Sequence, residues 1–426
     1  MSACSSCRKV RGERDGAMPP RQDDAVGKDG ARDGVASALL ALFSLFMLSS
    51  LTQSLYGSLP LNKAIGFGIA VVLLYWFASS ALTHLRVLGA LALGGVALMC
   101  LACGASIGQD MSDFVYLVTT VLVLLYASDA RNRDAMLSCF DRHATLLGGV
   151  AFACALLLLG LLVTGTGYET SWGGERYFRG LASNEHALAS SCCLLLTAAL
   201  LYGQVRAHGL LTAFVVLAAT LAILATGART YLIPLVVVLL CFVRDVASWK
   251  WLRVVLYVAM TGAFVLLLLG SGMLEKFEFA FNNEFADSLL SAFTNGRNEI
   301  WAHDIGLFAQ FDPVRMAFGG SFSQVYASNS QALDLYIWSH DDFVMLLCSA
   351  GLAGIVVYIA SMASFFKGVA RSASGLLVAA LAVYVLGPAL LNGFYPYQHL
   401  VYSAVFFALY AVERNYSYER GAHGRR

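Results

Sequence analysis

Charged residues are scarce in this sequence. Only 13% of its 426 residues are Asp, Glu, Lys or Arg, against roughly a quarter in an ordinary soluble domain. Apolar residues take their place and make up 58% of the chain. That balance excludes a soluble enzyme, a disordered chain and a nucleic-acid binder, none of which combines so much apolar surface with so little charge. The net charge of +1 carries no information about partners. Disulfide-forming cysteine is missing from the two long polar stretches, 167–185 and 275–341, so no disulfide framework is implied. Cys4 with Cys7, and Cys100 with Cys103, have CxxC spacing, but without a second ligand pair or a redox fold context that spacing carries no chemistry. The sequence has no HExxH, no GxSxG, no P-loop and no GxGxxG in a strand context. It has no internal repeat.

What it does have is apolar runs. A membrane-spanning helix needs about 20 mostly apolar residues. Candidate spans fall at 35–56, 64–82, 87–106, 112–128, 145–166, 186–203, 209–227, 229–243, 253–274, 342–365, 374–393 and 398–413. The expected fold is therefore all-α: a polytopic membrane bundle of about twelve helices, occupying residues 35–413. Residues 1–34 and 414–426 are expected to be tails, the first disordered and without the apolar core of a signal peptide.

Lys and Arg set the orientation. An even number of spans puts both termini on one side, together with the loops 84–86, 129–144, 204–208, 244–252 and 366–373. Most of the 28 basic residues lie there, leaving Lys63, Arg176, Arg179, Arg229, Lys276, Arg297 and Arg315 on the opposite side. This bias places both termini in the cytoplasm, and an error of one span would scramble it. The extracytoplasmic side then carries the loops 167–185 and 275–341. The second is far longer than a helix connection requires, and long loops tend to carry function. Short helices are expected within it at 285–293 and 298–309, with a turn at Gly319–Gly320.

Three of the outward arginines have unusual settings. Arg179 lies in RYFRGLASNEHALA, just before the sixth span. Arg229 lies in TGART, where two spans meet almost without a loop. Burying an arginine at that depth costs at least about 2.5 kcal/mol unless it faces a polar cavity or a partner; snorkelling to the surface is the alternative. Arg297 follows a glycine in NGRNEIW. If the fold gathers them, three guanidiniums make a site for a diphosphate, which arginine grips with a planar, bidentate fork.

A histidine is the second element. His340 stands where the long loop meets the tenth span, in WSHDDFVMLLCSAGLAG, and an imidazole can accept or hold a proton near neutrality. Asp341 and Asp342 follow at the helix start, where carboxylates also serve as caps. His186, His303 and His399 are weaker candidates. Trp172, Tyr177, Phe178, Trp301, Tyr336 and Trp338 accompany these groups, either as sugar-stacking surfaces or as an interfacial aromatic belt. Carboxylates are too dispersed for a dedicated divalent-metal site.

Taken in order, RYFRGLASNEHALA, TGART, NGRNEIW and SHDDFVMLLCSAGLAG resemble the bacterial O-antigen ligase and polymerase family, which includes the Wzy-type polymerases of O-antigen and exopolysaccharide. The resemblance covers roughly 170–360. Its most specific element is a histidine followed at fixed spacing by two glycines: His340, Gly351 and Gly354. Position 341 is usually Asn, Ser or Gln in the family and is Asp here, which bears on acceptor choice or pH dependence.

The resemblance implies an inner-membrane glycosyltransferase, needing neither cofactor nor metal, whose donor is a polyprenyl-diphosphate-linked glycan. Arg179, Arg229 and Arg297 would hold the diphosphate at the periplasmic face. His340 would activate the acceptor hydroxyl, and Asn184, Asp341 and Trp301 would contact substrate. The first outer loop, GSLPLNK at 57–63, has no carboxylate. It therefore lacks the acidic pair of the other large class of membrane glycosyltransferases. HDDF looks closer to the polymerase form, in which the acceptor is another lipid-linked repeat unit and a chain-length regulator is an expected partner. The alternatives are a ligase, with lipid A core as acceptor, and a transporter or flippase. The last would be expected to carry midplane polar groups and inverted repeats, neither of which is found.

Overall fold

The computed structural model describes residues 22–57, 59–80, 83–170, 176–206, 208–246, 249–270 and 296–423. Almost all of them are helical. The order is α1 (Gln22–Leu51), α2 (Leu61–Ser79), α3 (His84–Cys103), α4 (Ile107–Ser128), α5 (Ala130–Thr164), α6 (Glu185–Arg206), α7 (Gly209–Ala225), α8 (Leu232–Val246) and α9 (Lys250–Gly270). After the long loop begins come α10 (Arg297–Ala309), α11 (Pro313–Phe318) and α12 (Phe322–Leu333), then α13 (Asp342–Ala370), α14 (Gly375–Leu391) and α15 (Gln398–His423). Between α5 and α6, β1 (Tyr168–Thr170) and β2 (Arg176–Phe178) pair as an antiparallel hairpin, with Tyr168 opposite Phe178.

A helix occupies each apolar segment read from the sequence. Among the described residues, seven helices are long and apolar enough to cross a membrane: α1 from Gly30, α2, α3 from Arg86, α4, α5, α6 and α13. The helices α7 and α14 are apolar but shorter. The expected helix at 298–309 is α10. The tails differ from expectation. Residues 22–34 continue α1 and 414–423 continue α15, because neither stretch contains a proline to stop a helix already nucleated by its apolar half. Residues 1–21, the expected helix at 285–293 and Trp172 lie outside the described residues.

The centre and the periphery divide by burial. The helix α6 is buried almost all round from Leu188 to Tyr202, and α15 from Leu400 to Val412. Ser191, Thr197 and Ser403 there return their hydroxyls to carbonyls of their own helix, Ser191 to Ala187 at 2.7 Å, and so are satisfied without water. By contrast α3 leaves Leu88, Leu91 and Leu98 each more than 60% exposed, the expected surface of a helix that faces lipid tails rather than protein.

Side chains close the helix ends. At one end of the bundle, Arg133 donates to the Ala127 and Ser128 carbonyls of α4 at 2.8 and 2.9 Å. It also donates to the Gly368 carbonyl of α13 at 2.9 Å, so one cation covers two negative helix termini. At the other end, the Asp110 carboxylate of α4 accepts from the Ser323 backbone N–H at 2.7 Å and from its hydroxyl, which pins the start of α12.

Two glycines let that same loop segment enter α13. Gly351 breaks the helix with φ 63° and ψ −167°, and Gly319 sits opposite with φ 86°. The exposed carbonyls are taken up by the loop, Gly320 N–H to Cys348 O at 2.8 Å and Ser321 N–H to Ser349 O at 3.2 Å. A Cβ on Gly319 would stand 2.1 Å from the Ser349 carbonyl oxygen, and one on Gly351 would stand 2.5 Å from the Gly319 nitrogen. Gly351 in the histidine–glycine motif is thus a docking point for the loop that precedes α12.

Candidate functional site

His340 sits at a corner. Its φ is 54°, a left-handed conformation that costs a side-chain-bearing residue roughly 1–2 kcal/mol. Groups on both sides hold it there. Trp301 of α10 donates its indole N–H to the Ser339 carbonyl at 2.7 Å. Asp341 accepts from the Phe343 and Val344 backbone N–H groups at 2.8 and 2.9 Å, capping α13. The Trp338 ring packs against the imidazole, with centroids 4.9 Å apart.

The turn between α14 and α15 completes this corner. Asp342, fully buried, accepts from the N–H groups of Phe394 at 3.0 Å and Tyr395 at 3.1 Å and from the Tyr358 hydroxyl. These bonds hold residues 392–395 against the start of α13. Gly393 (φ 111°) is required beside Trp338, since a Cβ there would meet the indole at 2.1 Å. Asn392, fully buried, presents Oδ1 to His340 Nδ1 at 3.0 Å and to Arg297 Nη2 at 3.4 Å. Arg297 also donates to the Leu391 carbonyl.

Arg297 and His340, far apart in sequence, therefore share one amide. Arg229 belongs to the same group. It lies in the 3-10 turn Arg229–Tyr231 between α7 and α8, close enough for its charge to act on Arg297. Burial lowers the pKa of Arg297, the phenols of Tyr397 and Tyr231 oppose that, and Arg229 lowers it further. For His340, burial and then the Arg297 charge drive the pKa down to about 3, against the favourable contact with Asn392, and His186 lowers it further. The imidazole is neutral at physiological pH. The His186 ring lies tilted beside those of Tyr231 and Tyr397, at centroid distances of 5.9 and 6.0 Å. The arrangement is two neighbouring guanidiniums and a neutral imidazole, a surrounding that favours a multiply charged anion over either a cation or an apolar group.

The remaining expected residues fall out differently. Arg179 is on the same side of the bundle, just beyond Tyr177, but its guanidinium is engaged by Glu169 and by the Ser183 carbonyl at 3.3 Å. Asn184 caps α6, its Oδ1 accepting from Ala187 N–H at 2.8 Å. Asp341 and Trp301 serve the corner backbone as described. Each of these side chains, expected to contact substrate, thus has a partner within the fold. Tyr177 and Phe178 are buried and offer no stacking surface, whereas Tyr336 is 63% exposed. His303 bonds Ser328 at 2.9 Å. His399 is interior, bonded to Ser50 at 2.7 Å.

Sequence reasoning missed Asn392 and the tyrosines 231 and 397. A signal was there: NGFYPYQH at 392–399 is a polar, glycine-marked turn on the same side as both long loops once the spans are counted. Asp304 was missed as well. It is fully buried in α10, and burial pushes its pKa up to about 6 against the opposing influence of Ser339, His303 and Asn329 beside it.

Comparison with protein-family models and with curated proteins finds no match to this chain.

Proposed function

We propose that this protein is a membrane glycosyltransferase that extends a surface polysaccharide, O-antigen or exopolysaccharide, by transferring glycan from a polyprenyl-diphosphate carrier to another lipid-linked repeat unit. The observation that carries the reading is the group formed by Arg229, Arg297 and His340, the last two joined through Asn392. In this reading all twelve apolar segments cross the bacterial inner membrane, both termini are cytoplasmic and the group faces the periplasm. The end-to-end pairing of contacts supports that topology. Segments assigned outside meet one another, as Ser54 meets Leu181, Asp110 meets Ser323 and Arg297 meets Leu391. Segments assigned inside do likewise, as Arg133 meets Gly368 and Arg206 meets Asp141.

The chemistry follows from charge. The acceptor hydroxyl attacks the anomeric carbon, the bond from that carbon to the phosphate oxygen breaks, and the carrier diphosphate leaves with its electrons. Negative charge on the leaving group grows where Arg229 and Arg297 already stand, so the transition state is stabilised more than the ground state. His340 takes the hydroxyl proton. A bound diphosphate offsets the Arg297 charge that depresses the imidazole, so donor binding itself raises the basicity of His340. Arg179, at the rim, exchanges Glu169 for a phosphate oxygen.

A deletion strain tests the reading. Gel analysis of its glycans should show single repeat units in place of a ladder. Long chains stranded on the polyprenyl carrier and absent from lipid A would instead identify a ligase, and an unchanged ladder would reject both.

A further inference from the structure

The shared amide at Asn392 settles more than position. A guanidinium has only donors, so the Asn392 atom facing Arg297 Nη2 at 3.4 Å must be the oxygen; the reversed amide would set N–H against N–H. That same oxygen lies 3.0 Å from His340 Nδ1. Two acceptors cannot share a hydrogen bond without a proton between them, so Nδ1 must carry the proton.

We infer that Asn392 is a positioning residue that holds His340 in the Nδ1–H tautomer, leaving Nε2 as the nitrogen with the free lone pair.

The surroundings are built to keep that choice. Asn392 N–H bonds the Pro388 carbonyl at 2.9 Å and Gly393 N–H bonds the same oxygen at 2.6 Å, which closes the end of α14. The next two N–H groups are held by Asp342. Trp338 covers the imidazole from its other side, and Tyr397 adjoins the Asn392 amide. Among the described residues, the contact to Oδ1 is the hydrogen bond that His340 Nδ1 makes. Free imidazole side chains favour the Nε2–H form, so the fold is selecting the minor tautomer. A general base presents its lone pair to the proton it removes, and here that is Nε2. The tautomer assignment stands on geometry alone; its catalytic use rests on the proposed glycosyl transfer.

The test is two-bond 1H–15N correlation NMR on the full chain in nanodiscs with 15N-labelled histidine, the His340 signals assigned by their loss in His340→Gln. Wild type should show a protonated Nδ1 and an unprotonated Nε2 at pH 7.5, and Asn392→Ala should move His340 toward the Nε2–H form. Asn392→Asp should keep the wild-type tautomer and raise the His340 pKa by at least one unit. The other charged or titratable groups acting on His340 (Arg297, His186, and Asp341 and Asp342 beside it in the chain) are unchanged in that variant. An Nε2–H tautomer in wild type overturns the inference with no variant needed, and an unchanged tautomer in Asn392→Ala overturns the role of Asn392. In a chain-extension assay, Asn392→Ala should lower kcat by about 100-fold with little change in KM. Asn392→Asp should restore most of it, with the acid limb of the pH profile moved upward. Because the spectra need no substrate, a protein that transfers no glycan still reports the tautomer, and the two failures stay distinct.

Discussion

The two ends of this bundle use arginine in opposite ways. At the end assigned to the cytoplasm, Arg133 is fully buried and its guanidinium is spent on three backbone carbonyls. Arg206 pairs with Asp141 there, and Arg414 with Asp245. At the other end, among the described residues, Arg297 donates to one carbonyl and one amide oxygen, and the charge of a second arginine, Arg229, acts on it. One arrangement ties each guanidinium to carbonyls or a carboxylate; the other sets two guanidiniums within electrostatic reach of each other. Like charges placed so close favour an anion beside them. The comparison separates an arginine that holds the structure together from arginines that hold a ligand.

Exchanging the two kinds of arginine for alanine gives the sharpest contrast. Arg297→Ala should abolish chain extension, a loss of at least about 100-fold, while the protein still inserts and melts near the wild-type temperature. Arg297→Lys should fail too, since an ammonium cannot reproduce the fork. Arg133→Ala should do the reverse, costing about 3 kcal/mol through orphaned carbonyls and lowering expression and Tm while the folded fraction keeps its activity per molecule. Glycan ladders compared with thermal melts of the same purified variants decide it. Normal ladders from Arg297→Ala would remove the distinction.

A smaller effect concerns pH. The Asp304 pKa, raised to about 6 from an ordinary 3.8, makes a contribution that is complete below the unfolded value and is lost as pH rises through about 6. His340 has the opposite sign, since its depressed pKa means the unfolded chain takes up a proton first as pH falls below 6.5. Asp304→Asn should therefore stabilise the protein by about 3 kcal/mol at pH 7.5 and by about 1 kcal/mol at pH 4.5. Thermal melts across that range check it; an equal shift at both pH values would mean that the carboxyl does not titrate there.

The smallest predicted effect sits beside the histidine. Asp341 caps α13, a role Asn fills equally well, so Asp341→Asn should change stability by less than about 0.5 kcal/mol and Asp341→Ala by about 1 kcal/mol. Chain-length distributions from the Asn variant should match wild type. A changed distribution would return Asp341 to the acceptor site.

Much of the frame was legible from composition and spacing. Runs of apolar residues locate helices because a buried backbone in lipid must satisfy its own hydrogen bonds, and the asymmetry of Lys and Arg sorts the connections onto two sides. His340 and the arginines could be singled out because a charge or imidazole beside an apolar run needs a reason. The helical extensions at 22–34 and 414–423 were not legible, since polar composition suggests a tail whether or not an adjoining helix propagates through it. The capping role of Asp341 was visible as one of two readings of that residue, whereas nothing in the sequence pointed to Asn184 as the cap of α6.

What the chain determined by itself was which segments are helices and which side chains stand at their ends, because both depend on neighbours within a few turns. What only the tertiary structure decided was that Asn392, a plain turn residue near the end of the chain, links Arg297 to His340. That link depends on Asp342 drawing the α14–α15 turn across to α13. Contacts between segments so distant in the chain arise from packing, which no local pattern of residues encodes.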